Sequence, residues 1–272
     1  MNLYKVLEEA ILSDSIAIKE KLTRECLEYC SQNELIDSKN FTPLLFETPS
    51  YAKKCKIVKP KELVTRKDFD TPKGLASLVH AILHIEYSAI DLALDAVYRY
   101  PDMNQHYKVD WLEVALDEVR HYLMLESLLI ELGFSYGDFP VHSGLFEASV
   151  DTSKNILDRM AIIPRYYEAS GLDVTPKILK KLENRRKIPS VKSLIDMLHI
   201  IYDEEIVHVQ KGDYWFKYLC KIEGKEPKVY FDILKRYKLL EKYRPHFNVS
   251  ARKEADFSCS EIRILGKVEC KE

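Results

Sequence analysis

Four stretches of the chain place apolar residues at alternating three- and four-residue steps, the spacing that lines one face of a helix. The first is Leu75, Val79, Ile82, Glu86, Ala89 and Ala93. It predicts a helix from Thr71-Pro72 to about Tyr100, with Thr71 as N-cap, Pro72 as first helical residue and Pro101 as the stop. The second, Trp111, Val114, Glu118, His121, Leu125 and Leu128, predicts a helix over about 109–132 closed by Gly133. The third, Leu157, Ala161, Pro164 and Glu168, predicts one over about 152–170 ending at Gly171. It should kink at Pro164 and free a carbonyl near Met160. The fourth, Leu194, Leu198, Ile201, Glu205, His208, Gly212, Trp215 and Leu219, predicts a helix over about 190–221.

Between the second and third helices lies GFSYGDFPVHSGLFEASVDT, far longer than the roughly 2–8 residues of an ordinary helix hairpin. A long crossover lets those two helices run in the same direction, so the expected fold is all-α, a four-helix bundle over 71–222. Residues 1–70 should add helices at about 2–12 and 15–32. A basic arm, KKCKIVKPKELVTRKDFDTP, then reads as a strap over the surface, since its Pro60 and Pro72 and its many Lys do not suit a core strand. A short helix is expected from Thr175-Pro176. Residues 223–272 should hold one further helix at about 227–242 and an irregular end.

Composition supports helices: Gly numbers only 8 in 272 residues, and charged residues reach 31%. With 41 Lys+Arg against 43 Asp+Glu, net charge gives no push toward nucleic acid or anionic membrane. The basic spots Lys53–Lys61 and Arg185-Arg186-Lys187 read as solvated faces. The N-terminal MNLYKVLEEAILSDS carries two Glu inside its apolar stretch and reads as an amphipathic helix rather than a signal peptide. No apolar run approaches the roughly 18 residues that span a bilayer, so a cytoplasmic protein without a membrane partner is expected, with a homodimer as its candidate assembly. The six Cys form no CxxC and stand at no zinc spacing from a His, so all six are expected as free thiols.

The apolar stripes are interrupted by acids and imidazoles in a set order: Glu86; Glu118-Val-Arg-His121; Glu168; Glu205-Ile-Val-His208. A Glu-x-x-His pair puts a carboxylate and an imidazole one turn apart on one face, and a lone Glu on each of two other helices completes the ligand set of a two-metal bundle. Four carboxylates in a dry core would repel one another, whereas two divalent cations bring +4 against −4. Asp117 and Glu204 each precede a ligand Glu. Two readings of them stand level: Asp117 orients His208 and Glu204 orients His121, since a metal-bound His commonly donates its other N–H to a carboxylate, or both are exposed acids on their helices. Glu147 and Asp158 are rivals to Glu168, though Asp158 is turned off its stripe; the Asp196-x-x-His199 pair is a decoy, since Asp196 points to the side of its helix opposite Glu205, and His80 and His84 read as structural. Tyr87, Tyr122, Tyr166, Tyr167 and Tyr202 lie within two residues of ligands. They read mostly as core aromatics, with one of them a candidate for a redox or proton relay.

The strings HIEYSAIDLALDA, WLEVALDEVRHYLMLESLLIELG, YGDFPVH, PRYYEASGLDVTP, YDEEIVHV, WFKYLC and PHFNVSAR resemble a bacterial ferritin-like family of unknown function, over about 60–250. The resemblance implies a ferritin-like bundle whose six metal positions fall on Glu86, Glu118, His121, Glu168, Glu205 and His208. DEVRH also resembles the Asp-Glu-x-Arg-His motif of di-iron monooxygenases, whereas the second half departs from it, with Glu204 for Asp and Val207 for Arg. The function expected is a dinuclear oxidoreductase, with Fe as first choice and Mn as second, acting with O₂ or peroxide on a small-molecule substrate and drawing on an external electron donor. Ferroxidase activity, tRNA-modifying hydroxylation and a non-catalytic helical adaptor stabilised by metal are the alternatives.

Overall fold

The computed structural model describes residues 1–33, 41–63, 66–241 and 247–271. Every regular element among them is helical except one isolated bridge, Ile57 with Val141. The helices cluster into two compact units, Met1–Val150 with Arg185–Met197, and Asp151–Asn184 with Leu198–Glu272.

In the first unit, α1 (Leu3–Leu12) and α2 (Ile16–Gln32) are capped by the side chains of Asn2 and Ser15. They pack with α3 (Pro72–Arg99) and α4 (Gln105–Glu131). Thr71 caps α3 as expected, its hydroxyl accepting from the amide of Gly74 at 3.1 Å. The second helix starts earlier than its apolar stripe does, because Asn104 caps it through the amide of Tyr107 at 3.0 Å. It ends where Gly133 takes a φ of 83°, as the sequence indicates. By length and composition alone α3 could cross a membrane, which corrects the reading that no run is apolar enough; 78% of that window is buried inside the protein, as in a core helix. The strap makes two short 3₁₀ turns, Ser50–Lys53 and Pro60–Glu62, and joins the crossover through the bridge. Residues 64 and 65 of the strap lie outside the described residues. The crossover is not wholly irregular, since it contains α5 (Gly144–Asp151).

In the second unit, α6 (Ile156–Ile162) runs into a π-helical stretch, Ile163–Glu168, and on into α7 (Ala169–Glu183). Pro164 sits near the start of the π stretch, whose longer hydrogen-bonded turn accommodates the ring where an α-helix would clash. Two expectations are corrected here. The third helix does not end at Gly171, which lies inside α7 without a positive φ, and no new helix begins at Thr175-Pro176. Pro176 lies within α7 instead, and the carbonyl its missing N–H cannot reach, that of Leu172, accepts from Asn248 Nδ2 at 3.2 Å.

The fourth core helix, α8 (Pro189–Ile222), matches its stripe. Arg165 is wholly buried, with its guanidinium 2.8 Å from both Asp213 and Glu261 and over the rings of Phe216, Tyr230 and Phe257. The predicted tail helix is shorter, α9 (Val229–Arg236); its expected end at 242 lies outside the described residues, as do Pro245 and His246 of PHFNVSAR. Beyond it two short helices replace the irregular end, α10 (Val249–Glu254) and α11 (Cys259–Gly266). The expectation of six free thiols is overturned, because Cys259 and Cys270 form a disulfide. The chain turns back after α11 and brings the two Cα atoms to 5.3 Å, well within bridging distance. Cys26, Cys30, Cys55 and Cys220 are free and buried.

Candidate metal centre

Each unit holds three of the six residues singled out by the sequence. In the first, Glu86 projects from the middle of α3, and Glu118 and His121 from successive turns of α4. All three are buried, at 3%, 0% and 0% exposure. Nδ1 of His121 lies 3.2 Å from Oε2 of Glu118 and 3.3 Å from Oε2 of Glu86. Donor atoms of the three residues fall within 4.8 Å of one another. With metal–oxygen and metal–nitrogen bonds near 2.1 Å, neighbouring ligands of one ion stand about 3–3.5 Å apart, so this trio needs only small side-chain shifts to close on a cation.

The electrostatics of the trio are those of acids held together out of water. Burial raises the Glu86 carboxyl to about 8, and the charge of Glu118 adds to the rise. Burial alone would lower the His121 imidazole, but hydrogen bonds and charge from Glu118 and Glu86 outweigh it and raise the ring to about 12. A proton here does part of the work that a divalent cation would do better.

In the second unit, Glu168 is the last residue of the π stretch, and Glu205 and His208 lie one turn apart on α8. His208 is 1% exposed, and its Nδ1 lies 3.9 Å from Oε2 of Glu205. Glu168 and Glu205 are half-buried.

The rivals of Glu168, Asp196 of the decoy pair and Asp117 have other partners. Asp158 pairs with Arg236 at 2.8 Å and Tyr237 at 3.0 Å, Asp196 with Arg186 at 3.5 Å, and Glu147 accepts from Ser143 at 2.6 Å. Asp117 pairs with Arg120 at 3.0 Å on the exposed side of α4.

A family model described as a protein of unknown function, DUF455, matches residues 12–263 and so takes in all six positions. The chain belongs to this family. A stretch of 228 residues is 36% identical to an uncharacterised protein of Haemophilus influenzae, covering 81% of this chain and 77% of the relative. No solved structure matches.

Two polar clusters of this DUF455 chain escaped the sequence reading. Lys19 is buried on α2, where its ammonium pairs with Asp91 and donates to the carbonyls of Ala10 and Ile11 at 2.9 and 3.1 Å. Its only sequence signal is a cation on the apolar face of a helix. The other cluster gathers Tyr136 of the crossover with His80, His84, Tyr87 and Tyr122. His80, His84 and Tyr87 stand at helical steps of four and three and so share a face, but nothing in the spacing brings Tyr136 to them.

Proposed function

We propose that Glu86, Glu118, His121, Glu168, Glu205 and His208 together hold two metal ions, iron first and manganese second, in a ferritin-like dinuclear oxidoreductase that uses O₂ or peroxide. The observation that carries this reading is the buried trio Glu86–Glu118–His121, an acid pair with an imidazole at ligand-to-ligand spacing in a dry core. The second Glu-x-x-His pair, on α8, repeats the same turn-to-turn arrangement and supports a second set of ligands. The joining of the two sets around one centre is carried by their order in the sequence and by charge balance.

When bound, such ions supply Lewis acidity and redox equivalents. The chain's own part is to exclude water around Glu86, Glu118 and His121, and to offer oxygen and imidazole ligands that suit Fe and Mn alike. Asp117 and Glu204 are proposed to orient His208 and His121. The substrate is proposed to be a small molecule, with electrons from an external donor.

The test is anaerobic loading with Fe(II) or Mn(II), followed by metal analysis and exposure to O₂. Two ions per chain and a spectral change with O₂ are expected. Glu118→Ala and His208→Ala, one from each unit, should each reduce loading to one ion or fewer. Full loading of either variant would sink the six-ligand assignment. Two tightly held ions inert to O₂ would favour the adaptor reading instead.

A further inference from the structure

The crossover tyrosine, Tyr136, sits at the hub of an aromatic cluster within the first unit. Its ring stacks on Tyr87 at 5.3 Å, meets Tyr122 edge-on at 5.7 Å and stacks on His80 at 5.2 Å. Tyr87 follows Glu86 in sequence and Tyr122 follows His121, so the hub touches the aromatic neighbour of a proposed ligand on both α3 and α4.

The hydrogen bonds around the hub fix where its proton points. Nε2 of His84 lies 3.1 Å from the carbonyl oxygen of His142, which can only accept. Nε2 therefore carries the ring hydrogen, and Nδ1 of the neutral imidazole is an acceptor. Nδ1 lies 2.9 Å from the Tyr136 hydroxyl, so the phenol donates to it. His84 is itself buried, with Tyr51, Tyr136 and His142 around its ring. Burial also raises the phenol, so simple ionisation of Tyr136 is closed off. The thiol of Cys55 hydrogen-bonds with the same phenol oxygen. Tyr87 and Tyr122 lack this arrangement: the Tyr87 hydroxyl meets the hydroxyl of Ser50 at 2.9 Å, and that of Tyr122 donates to Glu126 at 2.9 Å.

We infer that Tyr136 and His84 form a one-electron redox site that stores an oxidising equivalent as a neutral tyrosyl radical. One electron leaves the phenol for a one-electron oxidant. The O–H bond breaks, and the proton moves along the 2.9 Å hydrogen bond to form N–H at Nδ1 of His84. The products are a neutral tyrosyl and an imidazolium, and an incoming electron reverses both transfers. The oxidant in the working protein rests on the dinuclear reading above, with Tyr87 and Tyr122 as stepping stones; the chemistry of the pair itself does not.

The test therefore uses metal-free full-length protein and the outer-sphere oxidant hexachloroiridate(IV), read by rapid-freeze electron paramagnetic resonance. A tyrosyl signal that changes shape on ring-deuteration of tyrosine is expected. Tyr136→Phe should abolish it. His84→Gln, which removes the positioned base, should slow its formation by about a hundredfold. Circular dichroism checks that both variants keep their helices, and His84→Gln decides alone should Tyr136→Phe not fold. No signal in the parent protein, an equal signal in Tyr136→Phe, or an unchanged rate in His84→Gln would overturn the inference. Radical formation in a chain that loads no metal would sink the dinuclear reading alone. Two bound ions without a radical would sink this one alone.

Discussion

The side-chain amide of Asn248 donates to the backbone carbonyl of Leu172, the acceptor that Pro176 leaves without its helical N–H. The same amide nitrogen also donates to the Tyr202 hydroxyl at 2.8 Å, while Oδ1 of Asn248 accepts from the amide of Ala251 and caps α10. One side chain thus repairs a proline defect in α7 and starts another helix.

Asn248→Ala should therefore cost more than an ordinary lost cap. A cap is worth about 1 kcal/mol, and an orphaned carbonyl adds about 1–3 kcal/mol. Chemical denaturation should show a loss of about 2–4 kcal/mol. A loss below the value of a cap alone would mean that water replaces the amide at Leu172.

Gly212→Ala sets two effects against each other. In a free helix alanine would gain about 1 kcal/mol over glycine. Here a Cβ would stand 2.2 Å from Cβ and 2.6 Å from Cγ of Pro164, a stiff ring with no rotamer to escape into. Overpacking of this kind costs about 1–3 kcal/mol, so the clash should win and the midpoint of unfolding should fall. A stabilised variant would show that α8 can move off the π stretch freely.

Acid should weaken the first unit through His80 and His84. Both are buried and lowered from 6.5 to about 4, so the unfolded chain binds more protons between those values and stability falls as pH drops from 6.5 to 4. Glu86 runs the other way, since a carboxyl raised from 4.5 to about 8 favours the folded state at low pH. The check is therefore a difference: the double variant His80→Gln, His84→Gln should have a shallower pH slope than the parent over this window. Equal slopes would remove these histidines from the acid response.

The disulfide makes a countable prediction. Alkylation of the denatured, unreduced chain should label four cysteines, Cys26, Cys30, Cys55 and Cys220, and reduction should raise the number to six. Closing a loop of 11 residues is worth up to about 3 kcal/mol, and Cys270→Ser should lose much of that from the C-terminal segment. The guanidinium of Arg263 also holds the carbonyl of Cys270, at 3.0 Å, so the tail keeps one tether in the variant.

Much of the fold was legible because local signals and core pattern agree. Thr71-Pro72 and Gly133 bound their helices where capping chemistry says they should, and the stripes carry Glu86, Glu118 and His121 into the core. Gly171 and Pro176 misled for a common reason. Gly171 marks a helix end, and Thr175-Pro176 a helix start, only when nothing else holds the backbone, and a residue more than 70 positions away does so for Pro176. The capping box of α11, Ser258 with Glu261, was present in the sequence but lay behind a stretch too short to show a periodic stripe. The pairing of Cys259 with Cys270 and the meeting of Tyr136 with His84 depend on where loops return, which periodicity does not encode.

The π stretch has a further consequence for how this chain can change over generations. A π turn behaves as an α turn with one residue inserted, and Glu168 closes it. Deleting a residue between Pro164 and Glu168 would restore ordinary winding and leave the helices on either side in register, but it would set the Pro164 ring in an α-helical turn against the carbonyl of Met160. Substitution can therefore explore this segment far more readily than shortening can, and its length should prove harder to alter than its letters.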